Sequence, residues 1–177
     1  MILQIEKYGS DKLRQPAHKV AVTPELAVLA EDMLETMYKA KGVGLAAEQV
    51  GRTEALCVID VPLSCEDDEE TRLFNAGVSQ PLVMFNPEIV SSSGEQTGRE
   101  GCLSLPNVGG DVIRPQEVTV QFLDVKGMPQ IVTARGFLAR AVCHETDHLK
   151  GVLYVDRMDE KSRDKVLKKL LKKKKSK

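Results

Sequence analysis

A chain of 177 residues is long enough to bury one hydrophobic core and too short for two, so a single domain is expected. Hydrophobic residues make up 42% and charged residues 29%, a globular balance, and no apolar run approaches the roughly 18 residues of a membrane-spanning helix. The net charge of −1 hides a split: residues 161–177 carry ten Lys or Arg against the single acid Asp164, a tail of +9 on a body of −10.

The opening Met1-Ile2-Leu3-Gln4-Ile5-Glu6 has no basic segment followed by an apolar stretch, so no secretory signal is expected and a bacterial-type cytoplasm is. In that compartment Cys57, Cys65, Cys102 and Cys143 read as reduced thiols. Thr23-Pro24-Glu25 starts a helix, with a capping hydroxyl, proline at the first position and an acid that suits the dipole. Leu26, Leu29, Met33 and Met37 form its apolar stripe, and Gly42 is its expected stop. The small residues of Gly42-Val43-Gly44-Leu45-Ala46-Ala47-Glu48-Gln49 allow close backbone approach, by a ligand or by a tight connection.

Residues 54–60 and 82–85 read as strands, with Cys57 buried in the first. Between them, Glu66-Asp67-Asp68-Glu69-Glu70 reads as a solvated acidic loop and Cys65 as exposed. Glu100-Gly101-Cys102-Leu103-Ser104 is expected to be a loop. Val118, Val120 and Phe122 alternate with polar residues, a half-buried strand that Lys126-Gly127 turns into a partner over 130–133. Gly136 opens a helix carrying Leu138 and Val142, which Gly151 closes. A last helix starts near Asp159 and places Val166, Leu167, Leu170 and Leu171 on one side. The expected class is α+β: mixed or antiparallel strands around a central helix, with one helix at each end of the chain.

His144-Glu145-Thr146-Asp147-His148 carries the chemistry of that central helix. Two histidines four apart share one face, so both imidazoles reach one metal ion while the acid between them leans toward its open position. A catalytic site needs a third ligand, and no downstream His or Glu offers itself. Cys102 is the upstream candidate, open between metal ligation and an inert buried thiol. Asp147 reads as a support rather than a ligand, Glu100 and Arg114 as an ion pair holding the Cys102 segment, and His18 as exposed without function.

Taken together, G-V-G-L-A-A-E-Q at 42–49, E-G-C-L-S at 100–104 and H-E-T-D-H at 144–148 resemble the three motifs of peptide deformylases, in order and spacing. The resemblance covers about residues 1–158, a single catalytic domain over 1–160 followed by a basic helix and tail over 161–177. It implies one metal on Cys102, His144 and His148 with water as fourth ligand; ferrous iron is the expected native ion, with zinc, nickel or cobalt in preparations. The implied reaction hydrolyses the formyl group from the N-terminal formylmethionine of nascent polypeptides and releases formate. Glu145 would take the water's proton, and the Gln49 side chain with the Leu103 backbone N–H would stabilise the oxyanion. Backbone groups of Val43, Gly44 and Gly101 would pair with the extended substrate, and Val43, Phe137 and Ala141 would line the methionine pocket. Two departures stand out: Cys143 precedes His144 where the family commonly has Gln, and the acidic stretch around Asp67 is long.

Two other readings compete. A zinc endopeptidase would need a downstream third ligand, and a structural metal site would need a fourth side chain and would leave Glu145 without a task. The lysine-rich C-terminus is open between a solvated terminus and an electrostatic contact with ribosomal RNA, the latter suited to an enzyme whose substrates emerge from ribosomes. A monomer is expected, with no membrane contact.

Overall fold

The computed structural model describes residues 1–175; Ser176 and Lys177, the end of the basic tail, lie outside the described residues. Helix α1 (Pro24–Lys39) starts as expected, with the Thr23 hydroxyl accepting from Leu26 N at 3.2 Å. Leu29, Met33 and Met37 are buried, Leu26 is half-buried, and the helix ends before Gly42. Strand β1 (Gly44–Ala46) and a 3-10 turn over Ala47–Val50 follow, then β2 (Leu56–Ile59).

The acidic segment departs from expectation. It does not form a solvated loop: Asp68 caps a short helix α2 (Glu69–Ala76), and Glu66 is buried. Cys65 is half-buried against the main core rather than exposed. Strand β3 (Leu82–Ser93) runs well past 82–85 and carries two irregularities in its pairing. Strands β4 (Gln96–Cys102) and β5 (Leu105–Arg114) form a hairpin with no counterpart in the sequence reading. Cys102 is the last residue of β4, paired across the tip with Leu105, and so lies in a strand rather than a loop.

Strands β6 (Glu117–Leu123) and β7 (Pro129–Arg135) form the expected hairpin. The larger sheet has the order β1-β2-β3-β6-β7, antiparallel throughout, and β4-β5 is a separate two-stranded sheet. Helix α3 (Gly136–His148) lies on the larger sheet, burying Leu138, Ala139, Val142 and Cys143 among Cys57, Met84, Val118 and Val120. The class is α+β, with every strand pairing antiparallel.

Arg135, at the start of α3, offers no capping side chain, so the helix's first N–H groups need another partner. Glu66 supplies it, accepting from Phe137 N at 2.6 Å and Leu138 N at 3.2 Å. Asn75 of α2 donates to the same carboxylate at 2.8 Å. Gly136 sits at φ +59, and a Cβ there would collide with that carboxylate, so glycine is required.

Helix α4 (Glu160–Lys175) begins with Asp159 accepting from Ser162 N at 2.8 Å. Val166 and Leu170 are buried against Leu105, Val112 and Tyr154, and Leu167 packs at their edge. Leu171 departs from expectation: it is exposed, one residue and so about 100° around the helix from the buried Leu170. The basic helix is therefore anchored to the β4-β5 layer rather than hanging free. None of the described helices is long and apolar enough to cross a membrane.

Candidate metal centre

His144 and His148 lie one turn apart on the buried face of α3, with their Nε2 atoms 3.1 Å apart. The β4-β5 hairpin tip brings Cys102 Sγ to 3.4 Å from His148 Nε2, and the three donor atoms all lie within 4.8 Å of one another. Tetrahedral bonds of about 2.0–2.1 Å to nitrogen and 2.3 Å to sulfur place the donors roughly 3.3–3.6 Å apart. Two imidazoles and a thiolate at these separations fit one divalent ion. Among the described residues no fourth His, Cys, Asp or Glu joins the group, which leaves a coordination position open to water.

His144 and Cys102 are each held by a neighbour, whereas His148 Nδ1 is buried with no hydrogen-bond partner among the described residues. Glu100 Oε1 takes His144 Nδ1 at 2.8 Å, which turns Nε2 toward the metal position. The expected Glu100–Arg114 pair is present and bidentate, at 2.9 and 3.0 Å, and Arg140 adds a third contact to Glu100 at 2.7 Å. Burial alone would raise the Glu100 carboxyl; His144 and Arg114 outweigh it and hold it well below the usual carboxylate range. Asp147 takes no part in the donor set; it receives Arg114 at 2.7 Å and Arg157 at 2.8 Å. The Tyr154 ring stacks on His144, 6.0 Å between centroids. Burial pushes the His148 imidazole well below its ordinary value, toward the neutral form a ligand requires.

Glu145 follows His144, and its Oε1 stands 4.0 Å from His144 Nε2. Its Oε2 is buried with no hydrogen-bond partner in the protein, and burial pushes the carboxyl up to about 7. The β1 backbone passes directly over it: a Cβ on Gly44 would lie 2.5 Å from Glu145 Oε1, so the glycine makes room for the acid. Gln49 is buried in the 3-10 turn, where its Oε1 accepts from Ala46 N at 3.0 Å. That bond fixes the amide, so Nε2 donates to Cys102 Sγ at 3.3 Å and Ser104 Oγ at 3.1 Å.

A cavity of about 590 Å³ opens over this group. Val43, Gly44, Gln49, Gly101, Cys102, Leu103, Phe137, Ala141, His144 and Glu145 all line it; His148 lies behind them, buried. Sequence reasoning missed Arg140, Tyr154 and Ser104. Arg140 had a signal, a lone cation on an otherwise apolar helix face four residues before His144, whereas Tyr154 and Ser104 had none. Cys143 is buried in packing, and the His18 side chain is exposed.

Residues 2–164 match the sequence profile of polypeptide deformylases. A peptide deformylase of Lachnoclostridium phytofermentans is 49% identical over 138 residues, 78% of this chain and 77% of that one. The crystal structure of the Ehrlichia chaffeensis peptide deformylase superposes with a TM-score of 0.89 at 35% identity, covering 99% of this chain and 98% of the other. A Synechococcus elongatus peptide deformylase in complex with actinonin gives 0.82 at 41% identity, covering 94% and 85%. With its three motifs assembled around one cavity and these likenesses along its length, this chain belongs to the polypeptide deformylase family.

Proposed function

We propose that Cys102, His144 and His148 hold one divalent ion, natively ferrous iron, and that Glu145, Gln49 and Leu103 work beside it to remove the formyl group from the N-terminal formylmethionine of nascent polypeptides. The observation that carries this reading is the convergence of two imidazoles, one thiol, a buried acid and an oriented amide at the head of a single cavity. Zinc, nickel or cobalt would satisfy the same donors. When bound, the ion supplies Lewis-acid activation of water and of the formyl carbonyl.

The protein's part follows from its atoms. Water adds to the formyl carbon while Glu145 takes one of its protons. The C–N bond then breaks as Glu145 delivers that proton to the methionine nitrogen, leaving a free amine and formic acid, which ionises to formate. The upward pressure of burial on Glu145 suits it to both halves of this exchange near neutrality. Gln49 Nε2 and the Leu103 N–H stabilise the charge that develops on the formyl oxygen. Backbone groups of Val43, Gly44 and Gly101 pair with the extended substrate, and Val43, Phe137 and Ala141 receive the methionine side chain. Actinonin, bound in the Synechococcus elongatus relative, would occupy the same cavity here.

Residues 1–160 form the catalytic unit, and 161–177 an appended basic helix and tail whose outward lysines contact ribosomal RNA. The working place is the bacterial cytoplasm, supported by bacterial relatives and by the need to meet chains as they are made. A monomer suffices, since all site groups come from one chain.

Formate release from formyl-Met-Ala-Ser tests the assignment, using anaerobically prepared, metal-loaded protein beside Glu145→Ala. Release by the parent and its loss in the variant are expected. No formate from metal-loaded parent protein overturns the reading. A Cys102→Ser variant that kept its metal and activity would favour the endopeptidase-type ligand set instead.

A further inference from the structure

The mouth of the substrate cavity carries one sign of charge. The two acids on its wall, Glu100 and Glu145, are buried, and so is Arg140, which is paired with Glu100. The exposed charged residues on that wall are all cations: Lys7, Lys41 and Arg99. Lys7 stands toward α4, where it, Pro106 and Asn107 form a common wall with a second hollow of about 210 Å³. Its Nζ is taken up by the Leu103 carbonyl at 3.1 Å.

Arg99 and Lys41 are free by comparison. Among the described residues neither side chain has a hydrogen bond or an acid within ion-pair distance. Arg99 stands opposite Asp111 in the β4-β5 pair, yet its guanidinium leans two residues further along β5. A Cβ on Gly109 would lie 3.3 Å from Arg99 Cζ and Nε, so the group rests over that glycine, on the side of the hairpin tip and Cys102. Lys41 stands on the other wall, three residues before Gly44, at φ +59 in the turn that ends α1.

Strand β4 sets the distance. Arg99 and Gly101 share one face of it, two residues and roughly 7 Å apart. Among the described strands β4 pairs with β5 alone, which leaves its other edge open to an added strand. A peptide whose methionine lies opposite Gly101 brings its third residue opposite Arg99, within reach of a cross-strand side-chain pair.

We infer that Arg99, with Lys41 on the facing wall, selects substrates that carry a carboxylate side chain at the third residue, an inference that rests on the deformylase reading and the Gly101 pairing given above. The attraction is solvent-exposed and therefore modest and salt-dependent.

The test compares kcat/KM for formyl-Met-Ala-Glu-amide and formyl-Met-Ala-Gln-amide, the amide removing the terminal carboxylate as a second source of charge. At low salt the Glu peptide is expected to be favoured by about two- to tenfold, mostly through KM, and the preference to shrink at high salt. It should collapse toward unity in Arg99→Gln/Lys41→Gln and survive in Arg99→Lys, which separates charge from folding. Equal treatment of the two peptides by the parent protein overturns the inference. So does a double variant that keeps the full preference, which would assign it to other groups. Failure to hydrolyse either peptide would instead count against the deformylase reading itself.

Discussion

The two ends of the cleft are built on opposite plans. At the metal end a buried ion network fixes the groups: Glu100 alone receives His144, Arg114 and Arg140, and Arg114 passes on to Asp147. At the α4 end the charges are exposed lysines: Lys7 donates to the Leu103 carbonyl and Lys174 to that of Tyr8. Chemistry on one small group needs donors placed to a fraction of an ångström, so the chain accepts the cost of burying an ion network there. Holding a varying polypeptide needs only a matching sign of charge, which solvent-screened cations such as Arg99 and Lys41 supply. The difference predicts large, geometry-dependent effects at one end and small, salt-dependent ones at the other.

Glu100→Gln should be the most damaging change away from the ligands themselves. It strands Arg114 and Arg140 and frees the His144 ring, with an expected loss of about 3–5 kcal/mol in stability and 10–100-fold in metal affinity. Denaturant melts and competition with a metal-binding dye read the two losses separately. Gln49→Leu should leave one metal bound but lower kcat by about 10²–10³, the range for one lost oxyanion donor. A retained kcat would remove Gln49 from the chemistry and leave it a support for Cys102 and Ser104.

Glu66→Gln comes next. It removes the charge that receives Phe137 N and Leu138 N at the start of α3, and should cost about 2–3 kcal/mol by chemical denaturation. Activity of the folded fraction should be little changed, because Glu66 touches none of the reacting groups.

Glu48 gives the smallest effect and a pH signature. Both its carboxylate oxygens are buried without a protein partner, and burial, with Glu145 nearby, pushes it up to about 8. The folded state thus holds this proton more tightly than the unfolded chain. Its contribution is complete below the ordinary carboxylate range and is lost as pH rises toward 8. Glu48→Met should remove most of that decline between pH 5 and 8, read as the difference between two pH–stability curves.

The metal end was the legible end. His144, Glu145 and His148 announce themselves because one helical turn is the spacing that lets two imidazoles share an ion. Gly44 and Gln49 were visible only through their motif; the structure supplies the reasons, a glycine that clears Glu145 and an amide locked by Ala46 N. The β4-β5 hairpin escaped because β5 contains Pro106, Asn107, Gly109 and Gly110, residues with little preference for strands. It forms because it pairs with β4 and packs beneath α4, both long-range facts. Glu66 was misread for a similar reason: its neighbours are acidic and exposed, and only the distant start of α3 makes its burial favourable. The joining of the two hollows through Lys7 is a matter of three-dimensional adjacency that no periodicity records.

The most direct test of the central claim measures metal content and formate release together, anaerobically, for the parent protein, Glu145→Ala and Cys102→Ala. One metal per chain is expected in the parent and in Glu145→Ala, with formate from the parent alone, and Cys102→Ala should lose both metal and activity. Full activity in Glu145→Ala, or a full complement of metal in Cys102→Ala, would contradict the assignment of base and ligand on which the account stands.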